Sequence, residues 1–293
     1  MTARPLCIRL NGPLTAEGQS RGMTLRASLA LAATLLAALP APLASAFGIG
    51  LQPSTVELTV EPGATQRQTI TIGNVHTERT IALSLSLADW SLDADGQLVL
   101  DAPGETERSG SDWVHFSPAQ VVLEPGTKTD VVVEISTPAR VDHLGDHRFA
   151  LLATTRLPDD RGGVSGVWSK YQLASLFYLT FTPASSTPEV VAVAPLENAP
   201  GTLRMTVKNT GDAHARLQGQ AVVKSASGEV VHEVDVNGVV LDNAERHLDV
   251  SLAADNIPSG SYTVDFNIRN SFAPQNGFRP VSVPVDSVSY VAP

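Results

Sequence analysis

The chain has 293 residues, a formal net charge of −10 and a single cysteine, Cys7. That length is enough for two domains with separate cores, and one cysteine excludes a disulfide-stapled scaffold. The acidic balance works against binding to nucleic acid or to an anionic membrane surface, while saying little about a protein partner.

In chain order, the first feature is a leader. A short basic start at residues 23–26 precedes an uninterrupted run of small apolar residues at 27–39, too short to span a bilayer. Ala44, Ser45 and Ala46 then form a cleavage pattern. This arrangement predicts an exported protein cleaved after Ala46, with Phe47 first, Met23 as initiator and residues 1–22 as an overextended start. The leader carries four arginines and one glutamate, so the mature chain is more acidic still. It also carries Cys7, which leaves the mature chain without a thiolate nucleophile or a cysteine-based metal site. No cysteine beside the cleavage site offers a lipid anchor, and no later run is long enough to cross a membrane.

The rest is written in short β segments. Residues 49–60, 68–72, 81–87, 98–100, 114–123, 130–136, 147–156 and 170–182 alternate with period two or are dense in β-branched residues, and Ile-Ala-Leu-Ser-Leu-Ser-Leu at 81–87 is strict. Turn chemistry separates them: Glu61-Pro62-Gly63, Asp93-Ala94-Asp95-Gly96 and Glu124-Pro125-Gly126, with Pro138 and Pro158 after two of the runs. No helical window competes. The pattern predicts an immunoglobulin-like β-sandwich without the cysteine pair of antibody domains. A Ser/Pro stretch at 184–188 reads as a hinge. Beyond it, residues 190–194, 203–208, 215–224, 230–234, 247–252, 261–270 and 281–291 predict a second, smaller β-sandwich. The expected domains are 47–183 and 189–293, the fold class all-β.

Residues 170–182 stand out, being longer than the usual strand of roughly five or six residues and apolar on both faces. Tyr171, Leu173, Ser175, Phe177, Leu179 and Phe181 share one face; Lys170, Gln172, Ala174, Leu176, Tyr178 and Thr180 share the other. A Gly-rich loop at 159–166 precedes this strand and Pro183 follows it.

Three phrases carry a family resemblance. Trp113-Val-His-Phe-Ser-Pro118 followed by Val121-Val-Leu-Glu-Pro-Gly126 and a β run is one. Gly145-Asp146-His147-Arg148 heading an apolar strand that ends near Pro158 is the second. Leu176-Phe-Tyr178 and Leu179-Thr-Phe-Thr-Pro183 closing a long strand is the third. Their order and spacing resemble the first domain of PapD-like periplasmic chaperones of pilus assembly. The resemblance covers residues 49–183 and, after the hinge, only the style of a second sandwich.

The resemblance implies a non-enzymatic mechanism in the periplasm. A chaperone of this family lends the last strand of its first domain to a pilin-like subunit that lacks a strand, by β-augmentation. That covers an aggregation-prone edge and groove until an outer-membrane usher takes over. Here the donor residues would be Tyr171, Leu173, Ser175, Phe177, Leu179 and Phe181. If that stripe instead faces the first core, the donor face becomes Ala174, Leu176 and Tyr178. The family holds the subunit's C-terminal carboxylate with an arginine and a lysine. Matched by eye, these positions fall near Thr55 and near Tyr178, neither of them cationic, and Lys170 and Arg148 are the nearest cations in the sequence.

Other clusters point to no chemistry. Asp142, His143, Asp146 and His147 read as a turn entering a strand, not a metal site. Asp93, Asp95 and Gly96 resemble a fragment of a calcium loop but lack its full ligand set, and read as a β-turn. Trp90, Trp113 and Trp168 suit a sugar platform or, more simply, cores. There is no nucleophile elbow, phosphate-binding loop or zinc-protease helix. No cofactor, metal or nucleic acid is expected. The alternative to a chaperone is a secreted adhesion or carbohydrate-binding module.

Overall fold

The computed structural model describes residues 48–156, 170–252 and 257–292. The leader, its cleavage site, Phe47, the Gly-rich loop and Trp168 lie outside these residues. The described chain contains eighteen strands and two short 3-10 turns, and no helix in it is long and apolar enough to cross a membrane.

The first sandwich uses β1 (Ile49–Gln52), β2 (Thr55–Val60), β3 (Thr65–Asn74), β4 (Ile81–Leu92), β5 (Leu98–Asp101), β6 (Val114–Ser117), β7 (Gln120–Leu123), β8 (Lys128–Ser136), β9 (Gly145–Thr155) and β10 (Gln172–Phe181). One sheet has the order β1-β3-β8-β6, the other β2-β10-β9-β4-β5 with β7 also on β4. The alternation read from the sequence sets the faces: Val131, Val133 and Ile135 of β8 are fully buried between the sheets, whereas Val132 points out. Burying each such side chain contributes roughly 1.5–3 kcal/mol.

Two runs that read as single strands are broken. Residues 49–60 divide at Pro53: β1 pairs with β3 in one sheet, and β2 pairs with β10 in the other. Residues 114–123 divide at Pro118, with β6 on β8 and β7 on β4. Proline has no N–H to give a ladder, so each becomes the point where the chain changes sheet.

The second sandwich is built from β11 (Pro188–Pro195), β12 (Thr202–Asn209), β13 (Ala215–Lys224), β14 (Val230–Val240), β15 (Ala244–Ser251), β16 (Gly260–Asn270), β17 (Val281–Val283) and β18 (Val288–Ala292). Its sheets run β11-β12-β15 and β14-β13-β16-β17, with β18 also on β16. The expected single strand over 281–291 is again two, β17 and β18, interrupted at Pro284.

The two sandwiches pack directly on each other. A third apolar cluster joins Ala88, Trp90, Ala150, Leu152 and Tyr178, on the outer face of the β10 sheet, to Leu241 of the second sandwich. Main-chain bonds cross the junction from Asp146 N–H to the Asp212 carbonyl, at 2.8 Å, and from His247 N–H to the Ala94 carbonyl, at 2.7 Å. The Asp93–Gly96 turn is therefore a junction element, with Asp95 also 3.0 Å from the His247 ring. At Gly145 the chain adopts φ +89, and a Cβ there would strike the Asp212 carbonyl oxygen, so only glycine lets the two backbones approach this closely.

Candidate partner-binding edge

The strand at the centre of the sequence reading, β10, lies between β9 and β2, but unequally. Antiparallel β9 accompanies it from Gln172 to Phe181. Parallel β2 accompanies it only from Leu176 to Phe181, because β2 begins after the sheet change at Pro53. The first bond of that ladder runs from Leu176 N–H to the Ser54 carbonyl, at 2.9 Å. Among the described residues no strand lies on the outer side of Gln172, Leu173, Ala174 and Ser175. The strand is half interior and half edge.

Its side chains divide at the same point. Phe177, Leu179 and Phe181 are fully buried in the core of the first sandwich, and the Phe177 ring stacks on Phe149 with centroids 4.3 Å apart. Flanked by strands on both sides and sealed by core, these three pack inward and anchor the strand in the first sandwich. Ser175 is also buried, and its hydroxyl donates to the Pro53 carbonyl at 2.7 Å, tying β10 to the sheet change. Leu173 only packs against the rim of that core, and Tyr171 is 43% exposed.

The opposite face is no free donor surface either. Tyr178 is buried beneath the second sandwich, edge-on to Trp90 at 4.9 Å and 4.3 Å from the His214 ring. Burial pushes its phenol well above the usual tyrosine range. Ala174 and Leu176 are half-buried around the same cluster.

Thr55 and Tyr178, the two positions aligned with the family's cationic pair, are not brought together. Thr55 lies opposite Leu176 and Tyr178 opposite Glu57. Thr55 is exposed and lines an open groove with Gln52, Pro53, Ser54, Thr69, Thr71 and Lys128, about 690 Å³ in volume, at the sheet change. Neither nearby cation serves Tyr178's side of the strand as a free charge: Arg148 is buried and ion-paired with Asp242 of the second sandwich, and Lys170 is exposed ahead of β10.

The charged residues that the sequence reading missed come from the second sandwich. Asn209 shapes the turn that carries them. Its side-chain amide donates to the carbonyls of Ala213, at 2.8 Å, and Leu241, at 3.0 Å, and its oxygen accepts from Thr187 and Gly211 N–H. The turn delivers His214 onto Asp146, with ring Nδ1 at 2.6 Å and the backbone N–H at 2.7 Å from one carboxylate oxygen. Thr180 donates to the other oxygen at 2.6 Å. Burial works to raise the Asp146 carboxyl, but His214 and Thr180 outweigh it and hold it below the ordinary range. Glu57, ion-paired with Arg216 and 3.5 Å from His214 Nε2, is held down in the same way against the upward pull of its burial.

The Asp142–His147 group is split. Asp146 faces the second sandwich, while His147 turns to the other side, 4.9 Å from Trp113 and 5.4 Å from Phe181. Burial, then the charges of Arg108 and Arg148, push the His147 ring down to about 4. His143 sits near Glu107 at the surface. Of the tryptophans, Trp90 is buried and donates its indole N–H to the Phe149 carbonyl at 3.0 Å, and Trp113 packs against the first core. They form no platform.

No protein-family model matches the chain, and no curated protein matches it. Solved structures are similar to it over most of its length. The CupB2 chaperone of Pseudomonas aeruginosa is 11% identical, with 83% of this chain and 100% of that one covered and a TM-score of 0.41. A chain of the CsuC–CsuE chaperone–tip adhesion subunit complex of Acinetobacter baumannii is 12% identical, over 83% and 97%, at 0.41. The chaperone DraB of E. coli is 10% identical, over 84% and 98%, at 0.40.

Proposed function

We propose that the mature chain is a periplasmic chaperone for pilin-like subunits of a surface fibre, acting by lending the uncovered half of β10. The observation that carries this reading is the half-covered strand: β9 along its whole length, β2 only from Leu176 onward. A client strand added beside Gln172–Ser175 would continue the line of β2 and complete the ladder, with main-chain bonds supplying sequence-tolerant affinity. Leu173, on the rim of the core, is the apolar side chain that enters the client, with Tyr171 next along the same face. Phe177, Leu179 and Phe181 supply the rigid root. The sequence resemblance names the client class and adds an outer-membrane usher as the receiving partner.

A second reading, a secreted adhesion or carbohydrate-binding module, is favoured by a different feature. An open groove of about 790 Å³ crosses the second sandwich, bordered by Gln220, Asp235, Asn237, Asn267, Arg269 and Asp286. Such hydrogen-bonding side chains suit a polyhydroxylated ligand.

Affinity capture of the chain from periplasm, with identification of what co-purifies, separates the two. Leu173→Glu should leave the domain folded, at a stability cost of about 1 kcal/mol, and lose the subunit, because its charge would have to enter an apolar groove. A folded Leu173→Glu variant that still captures the subunit as the wild type does overturns strand donation. Retention on immobilised glycans, abolished by Asn267→Ala, would put the second reading in its place.

A further inference from the structure

His214 is fully buried at the junction of the two sandwiches, and a carboxylate faces each of its ring nitrogens. Asp146 is 2.6 Å from Nδ1 and Glu57 is 3.5 Å from Nε2. The ring is stacked on Phe272 at 4.0 Å and lies against Tyr178 on its other side. Nδ1 is hydrogen-bonded to Asp146, while Nε2 is buried without a hydrogen-bond partner and has Glu57 as its nearest charge. A neutral ring has one N–H and one lone pair and would turn a lone pair toward one of the two carboxylates, whereas the histidinium presents a proton to each. The charges agree. β2 contributes Glu57, β9 Asp146, and β13 Arg216, which pairs with Glu57. From β10 come only Tyr178 and the Thr180 hydroxyl on Asp146. Arg148, two residues beyond Asp146, and Arg108 are engaged by Asp242. The Asp212 carboxylate accepts from Ser185 N–H. Four carboxylates, Glu57, Asp146, Asp212 and Asp242, against three guanidiniums, Arg108, Arg148 and Arg216, leave one negative charge at the junction, and a histidinium neutralises it.

We propose that His214 is a standing histidinium that clamps the second sandwich onto the first, and that the junction loosens when this ring loses its proton. The clamp spans residues of both sandwiches, so its state sets their relative orientation. Burial by itself lowers the ring's pKa, but Asp146 and Glu57 raise it on balance above the ordinary histidine value. The stabilisation is therefore complete below the unfolded value and is lost as pH rises through the raised folded value. This device is independent of strand donation.

Histidine-selective isotope labelling of the wild-type mature chain tests it without requiring any variant to fold. The His214 ring, assigned through its contact with Phe272, should still give imidazolium signals at pH 7, where an ordinary histidine of pKa roughly 6.5 is mostly neutral. Glu57→Gln should move its midpoint down by about one pH unit or more. Because the mature chain has no cysteine, spin labels at Thr69→Cys and Gln218→Cys report one distance across the sandwiches. That distance should broaden only at the pH where His214 deprotonates. A neutral His214 tautomer at pH 7, or a distance indifferent to His214 titration, overturns the proposal.

Discussion

Glu57, and not Thr55, stands beside Tyr178. In the parallel register of β2 on β10, Tyr178 lies opposite Glu57 and Thr55 opposite Leu176. Those two residues of offset change the chemistry at the junction. Where the family resemblance places a cationic pair for a client's terminus, this chain has a carboxylate answered by Arg216 and His214 of its own second sandwich. The charges at this point hold the two sandwiches to each other.

The Arg148–Asp242 pair should behave as a buried ion pair. The side chains are 10% and 5% exposed, and Arg108 also reaches Asp242. Removing one partner leaves an uncompensated buried charge, so Asp242→Leu should cost about 3–5 kcal/mol in urea unfolding. Arg148→Met combined with Asp242→Leu should recover part of that loss, the remainder reflecting Arg108, which is left without its carboxylate. A double variant no more stable than the single one would mean that packing, not charge, holds the junction.

Asp89 should shape the acid limit of stability. Its buried carboxylate accepts from Thr106 N–H and hydroxyl, both 2.9 Å, from the Ser109 hydroxyl at 2.7 Å and from the Ser111 hydroxyl at 2.6 Å. These bonds outweigh the upward push of burial and hold its pKa below the ordinary range. The contribution is thus present above the unfolded value, roughly 3.9, and is lost as pH falls through the lowered one. Asp89→Asn should cost about 1.5–3 kcal/mol at neutral pH and flatten the acid limb of a melting-temperature profile. An unchanged acid limb would assign that limb to other carboxylates.

The division of β10 into root and free half should be visible in stability alone. Phe177→Ala empties a stacked, fully buried site against Phe149 and should cost about 3–5 kcal/mol. Leu173→Ala, at the rim, should cost about 1 kcal/mol. Equal losses in chemical denaturation would show that the strand is anchored along its whole length.

The all-β architecture was legible because its signal is local. The faces of β8 follow from alternate residues pointing opposite ways, and Pro, Gly and Asp turns mark most strand ends whatever lies next to them. β4 shows where this stops. Its first half alternates strictly, but Trp90 and Leu92 turn toward a second sandwich whose position no nearby residue records. β9 is buried on both faces for the same reason. The breaks at Pro53 and Pro118 had a local sign in the prolines themselves, yet which sheet each half joins depends on partners far along the chain. His214 and Asp146 are 68 residues apart, on different sandwiches, and are brought together only by the packing of the two. Period and turn chemistry are properties of neighbouring residues, whereas edge coverage and charge pairing depend on which distant strands and domains come to lie side by side. That is why the half-covered state of β10 and the charge clamp at the junction had to be read from the tertiary structure.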